Sequence, residues 1–507
     1  MSRTEAGPAA DRTALRRELT RLDTVFFLVS AMVVVDTIGA IAVAGGQAFT
    51  WLLVLFVTFF VPSALASAEL GAALPQEGGA YVWVREAFGR WAGSVTSLLY
   101  WAGTPMWLGG SVAVVAMAVW GRFFGDLSTE GMLVFGAVFV AVATLGAVVP
   151  LRYGKWVPTS GAVGQIVLLT LFTGTVVGYG VVHGVHGIGF GDLAPTAVAA
   201  VAVVPVLLYS FVGVELPSTA GEEMVDPRRD LPVAIARAGA GQALMYGLPI
   251  LAVLVVLPAD RVTSLHGLVD AMRTVYTVFG GSVAADGTVS LAGAGLWVGR
   301  TSALLFVWVL LASGSAWIMG AGRAQAAACL DGGGPAVLGR ISPRTGVPVV
   351  MGLVSGAVSL TTTVVDVLVT GGDGQRYFSV ALTTSIALVV VAYLFVYPAF
   401  LVLRVRRPGL ERPFLVPGGL PVAVLVTVLA AGWSLLATVF LLWPGAGLPV
   451  PDDALPAGFA GDRTTFELLV VSPVLAVVAL ASGWHLLRRV RTGRIGTGRV
   501  STSGGAG

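Results

Sequence analysis

The chain has 507 residues, 56% of them hydrophobic and only 11% charged, with a formal net charge of +3. A soluble domain carries roughly a quarter charged residues, so this composition cannot build a water-facing surface of the required area. Apolar runs long enough to cross a bilayer recur along the chain without the two-residue alternation of barrel strands, which leaves a polytopic helical membrane protein.

In chain order, residues 1–22 form a polar segment without a cleavage pattern, so the first apolar run reads as a retained membrane helix. Twelve spans are predicted at about 23–48, 50–73, 91–120, 130–150, 157–182, 197–224, 231–257, 297–322, 347–370, 377–403, 419–443 and 466–488. They make one transmembrane domain over 23–488, followed by a flexible basic tail at 489–507 rich in Gly, Ser, Thr and Arg. No hydrophilic connection is long enough to fold separately, and the outer loop 258–296 shows no regular pattern. With the first segment inside, every Lys and Arg except Arg122, Arg261, Arg273, Arg300, Arg376 and Arg463 falls on the inner side. That asymmetry predicts cytoplasmic termini in a cytoplasmic membrane, and it makes the basic excess a topology signal with no nucleic-acid partner implied. Cys329 is the only cysteine, which excludes an intramolecular disulfide or a cysteine metal cluster. The triplet Gly332-Gly333-Gly334 lacks the following Lys-Ser/Thr of a nucleotide loop, and no Ser-His-Asp grouping stands out. Neither an enzyme nor an ATP-driven pump is expected, and no cofactor or metal is implied.

Two spans are interrupted at corresponding places. The first carries Asp36-Thr37-Ile38-Gly39 mid-span and Gly45-Gly46 near its end; the sixth carries Gly213, Glu215 and Pro217. Freed backbone groups cannot face lipid, so a break belongs where it is buried in protein or lines a wet cavity. Paired breaks in the first and sixth spans suggest a five-plus-five inverted repeat with a ligand site at the midplane. Glycine also serves ordinary helix packing in membranes, which is the plainer reading of Gly39 alone. A carboxylate beside a break, as at Glu215, is a functional candidate in its own right.

Four motifs then carry a resemblance. "AELGAALPQEGGAYVWVREAFG" at 68–89, "FVGVELPSTAGEEMVDPRRDLPVAI" at 211–235, "WIMGAGRAQAAACLDGGGP" at 317–335 and "RPFLVPGG" at 412–419 occur in order. Together they resemble the amino acid–polyamine–organocation superfamily, and in particular its glutamate/GABA and arginine/agmatine antiporter branches. The resemblance implies an all-α, leucine-transporter-like fold of about twelve helices with broken helices 1 and 6. It also implies a secondary active transporter of an amino acid or related amine, working by alternating access as a proton-coupled symporter or an exchanger. A polyamine or organic-cation carrier, or a channel or sensor of the same fold, are the alternatives.

Carried over residue by residue, Glu215 stands where such antiporters have a proton- or pH-sensing Glu. Tyr209 falls at the position of a gating Trp, and Trp317 at that of an aromatic stacked on substrate. Lys155, the only Lys in the chain, resembles a fifth-span Lys that replaces a bound cation between spans 1 and 8. The stretch Asp36-Thr37-Ile38-Gly39 departs from the usual Gly-Ser-Gly type break, where backbone groups hold the substrate. Substrate-binding candidates are thus Asp36, Thr37, Ile38, Gly39, Tyr209, Gly213 and Trp317, with Glu215 and Lys155 for coupling. Each has a plainer reading: Lys155 as a snorkelling surface cation, Asp36 as half of a buried polar pair, Trp317 and Tyr209 as packing aromatics. Glu69 is expected to pair with Arg85 or Arg90, and Glu222, Glu223, Arg228, Arg229 and Asp230 to form an inner ion-pair cluster. Expected partners are a small amine or amino acid, protons and the lipid bilayer; the sequence does not specify an oligomeric state.

Overall fold

The computed structural model describes residues 19–258, 261–369, 374–444, 459 and 462–497, with side chains to 488. Ten of its helices are long and apolar enough to cross a membrane. They match predicted spans 2–5 and 7–12: Gln47–Ala73, Arg90–Phe124, Thr129–Val148, Leu151–His183, Pro227–Val256, Gly293–Leu330, Val349–Leu368, Gly374–Arg406, Gly419–Leu442 and Arg463–Arg488. The other two predicted spans are the broken ones. Span 1 consists of helix 1a (Arg21–Met32) and helix 1b (Thr37–Ala42). Span 6 consists of helix 6a (Ala197–Ser210) and a 3-10 helix, 6b (Leu216–Glu223).

The span 1 break differs in place from the sequence expectation. It lies at Val33–Asp36, and Thr37, Ile38 and Gly39 already belong to helix 1b. Three consecutive β-branched valines, Val33 to Val35, precede Asp36, and such residues are stiff and weak helix formers. Gly39 has another use: a Cβ there would come within 2.6 Å of the Ser264 carbonyl oxygen, so it lets the outer loop close directly onto 1b. Gly45, at φ +64°, and Gly46 turn the chain from span 1 into span 2. The outer loop is also more regular than its sequence suggested. It holds a helix at Gly267–Tyr276 and a hairpin pairing Gly281–Val283 with Val289–Leu291. The apolar face of that helix, including Leu268, Met272 and Val275, is buried against the bundle.

At the end of the bundle where span 2 finishes, the inner end in the orientation expected from the sequence, an amphipathic helix at Ala80–Phe88 joins spans 2 and 3. Glu69 does not pair with Arg85 or Arg90. Its carboxylate takes Arg404 at 3.1 Å, Arg412 at 3.1 Å and the Val416 amide at 2.9 Å. Arg412 also donates to the Leu403 and Arg407 carbonyls at the end of span 10. The motif at 412–419 is therefore a clasp that ties spans 2, 10 and 11, and its partners are far from Glu69 in sequence. Arg85 instead pairs with Glu86 and Asp331. Because Glu69 is buried with both arginines, Glu69→Ala should cost about 3–5 kcal/mol. The check is a lowered thermal unfolding midpoint in detergent.

Candidate functional site

The breaks are held by side chains from neighbouring helices. At the end of helix 1a the carbonyls of Met32, Val33 and Val34 accept from side chains, namely Gln242 (3.1 Å), Gln165 (2.6 Å) and Tyr246 (3.1 Å) respectively. The Val34 amide donates to the Tyr246 hydroxyl at 2.7 Å. Thr37 donates to the Val34 carbonyl at 2.8 Å and lies 3.2 Å from the Ser210 hydroxyl of helix 6a. Gln242, on span 7, also donates to the Ser210 carbonyl at 2.8 Å, so a single amide group holds both broken helices. Trp317 of span 8 donates its indole N–H to the Ala31 carbonyl at 2.9 Å.

Asp36 begins helix 1b without capping it through its side chain. Its Oδ2 instead accepts from the Trp107 indole at 3.0 Å and the Ser111 hydroxyl at 2.9 Å, both on span 3. Its Oδ1 makes no hydrogen bond, although the residue is only 3% exposed. Glu215 begins 6b in the same manner. Its Oε1 accepts from Tyr100 at 2.6 Å and Tyr393 at 2.8 Å, while Oε2 makes no hydrogen bond in a residue 1% exposed. Aromatic rings lie between the two carboxylates. The Trp107 and Trp317 centroids are 6.1 Å apart, Trp317 and Tyr100 are 5.8 Å apart, and Tyr209 meets Trp107 edge-on at 6.5 Å. Gly213 makes room for this group: its φ is +103°, and a Cβ there would sit 3.1 Å from the Trp317 ring. Thus Asp36, Thr37, Tyr209, Gly213, Glu215 and Trp317 share one neighbourhood, Ile38 is fully buried next to it, and Gly39 faces the outer loop.

Lys155 is elsewhere. Its amine is 2.9 Å from Asp23 of helix 1a, bordering a small cavity of about 10 Å³ with Met319, Gly320 and Arg323 of span 8. Gly320 is three residues beyond Trp317, roughly a helical turn toward the inner end. There the fully buried Arg323 forks onto Glu223 at 3.2 Å and reaches Glu77 at 3.4 Å. The expected inner cluster is dispersed: Glu223 takes Arg323, Glu222 accepts from the Glu77 amide, Asp230 takes Arg21, and Arg228 takes Glu411. These contacts close the inner side across spans 1, 5, 6, 7 and 8. The outer loop against Gly39 covers the other side, so the carboxylates and rings are enclosed. Sequence reasoning missed Gln165, Gln242, Tyr246, Trp107, Ser111, Tyr100 and Tyr393. Only the rarity of an amide or acid-accepting side chain inside an apolar span marked some of them, Gln165 and Gln242 foremost.

A family model described as amino acid permease matches residues 19–459. The chain belongs to the amino acid permease family. A probable agmatine/putrescine antiporter of Lactococcus lactis is 25% identical over 406 residues, covering 80% of this chain and 83% of that protein. An uncharacterized transporter of Legionella pneumophila is 26% identical over 84% of this chain and 90% of its own length. The fold is shared with a manganese transporter of Eremococcus coleocola, at TM-score 0.57 and 12% identity over 97% of both chains. This permease is accordingly a multi-pass transporter rather than an enzyme.

Removal of the amide that bridges both breaks takes the side-chain donor from the buried Ser210 carbonyl and one of the donors from that of Met32, at about 1–3 kcal/mol for a group left unsatisfied. Gln242→Leu should therefore lower both the unfolding midpoint and the transport rate. Trp317→Phe keeps an aromatic face but loses the indole bond to Ala31, so it should retain more transport and a higher unfolding midpoint than Trp317→Ala, which also leaves a cavity; initial uptake rates and thermal scans compare them.

Proposed function

We propose that the permease is a secondary active transporter of an amino acid or related amine in the cytoplasmic membrane, with both termini inside, proton-coupled as a symporter or working as an exchanger. One observation supports this best. At the two breaks the carbonyls of Met32, Val33, Val34 and Ser210 accept from side chains, while Asp36 Oδ1 and Glu215 Oε2 have no hydrogen bond. Two half-satisfied acids around aromatic rings call for a cation with N–H donors. An ammonium supplies three such donors and is attracted to the faces of Trp107, Trp317 and Tyr209. The Lactococcus relative is a probable agmatine/putrescine antiporter, and both of those amines are cations of this chemistry.

In this reading Asp36 receives the amino group, Tyr209 and Trp317 border it as gates, and Gly213 lets Trp317 approach helix 6. Thr37, Ile38 and Gly39 shape helix 1b and its contact with the outer loop. Glu215 exchanges a proton as access alternates, held by Tyr100 and Tyr393. Lys155 couples the movement of helix 1a to span 5 through Asp23.

The test is uptake of labelled amino acids and polyamines into proteoliposomes, run with empty vesicles under an inward proton gradient and with preloaded vesicles. Saturable uptake of at least one amine is expected, blocked by Asp36→Asn. Uptake that only preloading permits assigns exchange, and uptake that follows the gradient assigns symport; silence across amines and amino acids overturns the reading. Glu215→Gln cannot ionise but keeps an acceptor for both tyrosines, so the variant should fold and transport with a flattened pH profile. An unchanged profile would remove the proton role.

A further inference from the structure

Away from the central site, a cleft of about 420 Å³ opens at the arginine-rich end of the bundle. One wall is the loop after span 8, including Gly332, Pro335 and Val337; the other is the end of span 12, with Trp484, Leu487 and Arg488. Its rim continues onto the outward face of span 12. Leu487 is 61% exposed and Val337 47%, as expected of side chains that meet acyl chains rather than protein. Trp484, together with Trp91, which is 43% exposed and donates to Ser482 at 3.1 Å, marks the headgroup level of the bilayer. The cleft thus runs from an apolar edge to a cation at the depth where lipid phosphates lie.

The cation is Arg488. One of its N–H groups donates to the Asp331 backbone carbonyl, and a guanidinium has five N–H donors in a fork that suits phosphate oxygens. The acid nearest in the loop does not oppose an anion, because the Asp331 carboxylate is occupied by Arg85 and the Tyr81 hydroxyl. The sequence beyond adds Arg489, Arg491, Arg494 and Arg499 with no acidic residue among them. Basic stretches just beyond a membrane helix attract anionic lipid.

We propose that this cleft binds the phosphate headgroup of an anionic phospholipid, with Arg488 on the phosphate, Trp484 at the glycerol level and the acyl chains along Leu487 and Val337. The site has a route to the inner closure. Asp331 holds Arg488 through its carbonyl and holds the amphipathic helix through Arg85 and Tyr81, and the loop leading into that helix carries Glu77, which meets Arg323. A lipid seated on Arg488 therefore supports the loop that fastens the inner side. The binding claim is independent of which substrate is carried.

The experiment uses the full chain in nanodiscs of phosphatidylcholine alone, or of phosphatidylcholine with phosphatidylglycerol, read by thermal unfolding and by native mass spectrometry of retained lipid. Phosphatidylglycerol should raise the midpoint by several degrees and remain bound. Arg488→Gln should abolish both effects, whereas Arg340→Gln, a cation elsewhere on the same end, should preserve them. Val337→Asp places a negative charge at the rim without touching the Arg488–Asp331 contact, and it should also abolish them; it serves if Arg488→Gln does not fold. An undiminished phosphatidylglycerol shift in Arg488→Gln or Val337→Asp would overturn the site. An equal shift from inorganic phosphate added to phosphatidylcholine discs would overturn the lipid as its occupant.

Discussion

Everything at the centre of this permease depends on how a helix can be interrupted where water is scarce. A peptide group left without a partner in such a place is costly, so each interruption must bring its own donors and acceptors. Here, besides Thr37, the side-chain donors come from outside the broken helices: Gln165 from span 5, Gln242 and Tyr246 from span 7, and Trp317 from span 8. The breaks are therefore properties of the surrounding bundle as much as of their own sequences. This capping also decides what remains for a ligand. In the proposed reading, with the Met32, Val33, Val34 and Ser210 carbonyls held by side chains, recognition falls to two acids and the rings between them.

The same logic explains why glycine and carboxylate occur together in span 6. Gly213 adopts a backbone conformation that a side chain would strain, and it leaves room for Trp317 to cross between spans 6 and 8. Glu215 follows where the chain resumes its helical course, and two tyrosine hydroxyls from spans 3 and 10 hold one of its oxygens. Position and composition thus serve one arrangement: a break open enough to admit an indole, with an acid held beside it.

Much of this was legible in the sequence, for identifiable reasons. Span count follows from the length of apolar runs, and ten unbroken helices fall where those runs lie. The interruptions were visible because Gly213-Val-Glu215-Leu-Pro217 is discordant in a span; the valine run before Asp36 is apolar, so its weak helix propensity was hidden by hydropathy and the break was placed a few residues late. Pairings over hundreds of residues were not legible. Glu69 has arginines at 85 and 90 nearby in sequence, yet helix packing delivers Arg404 and Arg412. Trp107 and Tyr100 resembled ordinary membrane aromatics, since nothing local reveals which ring faces an acid. The regular helix in the outer loop was obscured by its glycine-rich surroundings, although Gly267–Tyr276 has a clear apolar stripe once isolated.

The inner closure has a thermodynamic consequence of its own. Arg323, Glu223 and Glu77 are held together out of water, an arrangement in which attraction between charges is largely offset by lost hydration. Letting water in returns that hydration to all three groups as their contacts are lost. A seal of oil-like side chains would instead be stabilised by exclusion of water and would resist opening in proportion to its area. A latch of ions is thus held by a small difference between large opposing terms, so that a small bias is enough to release it.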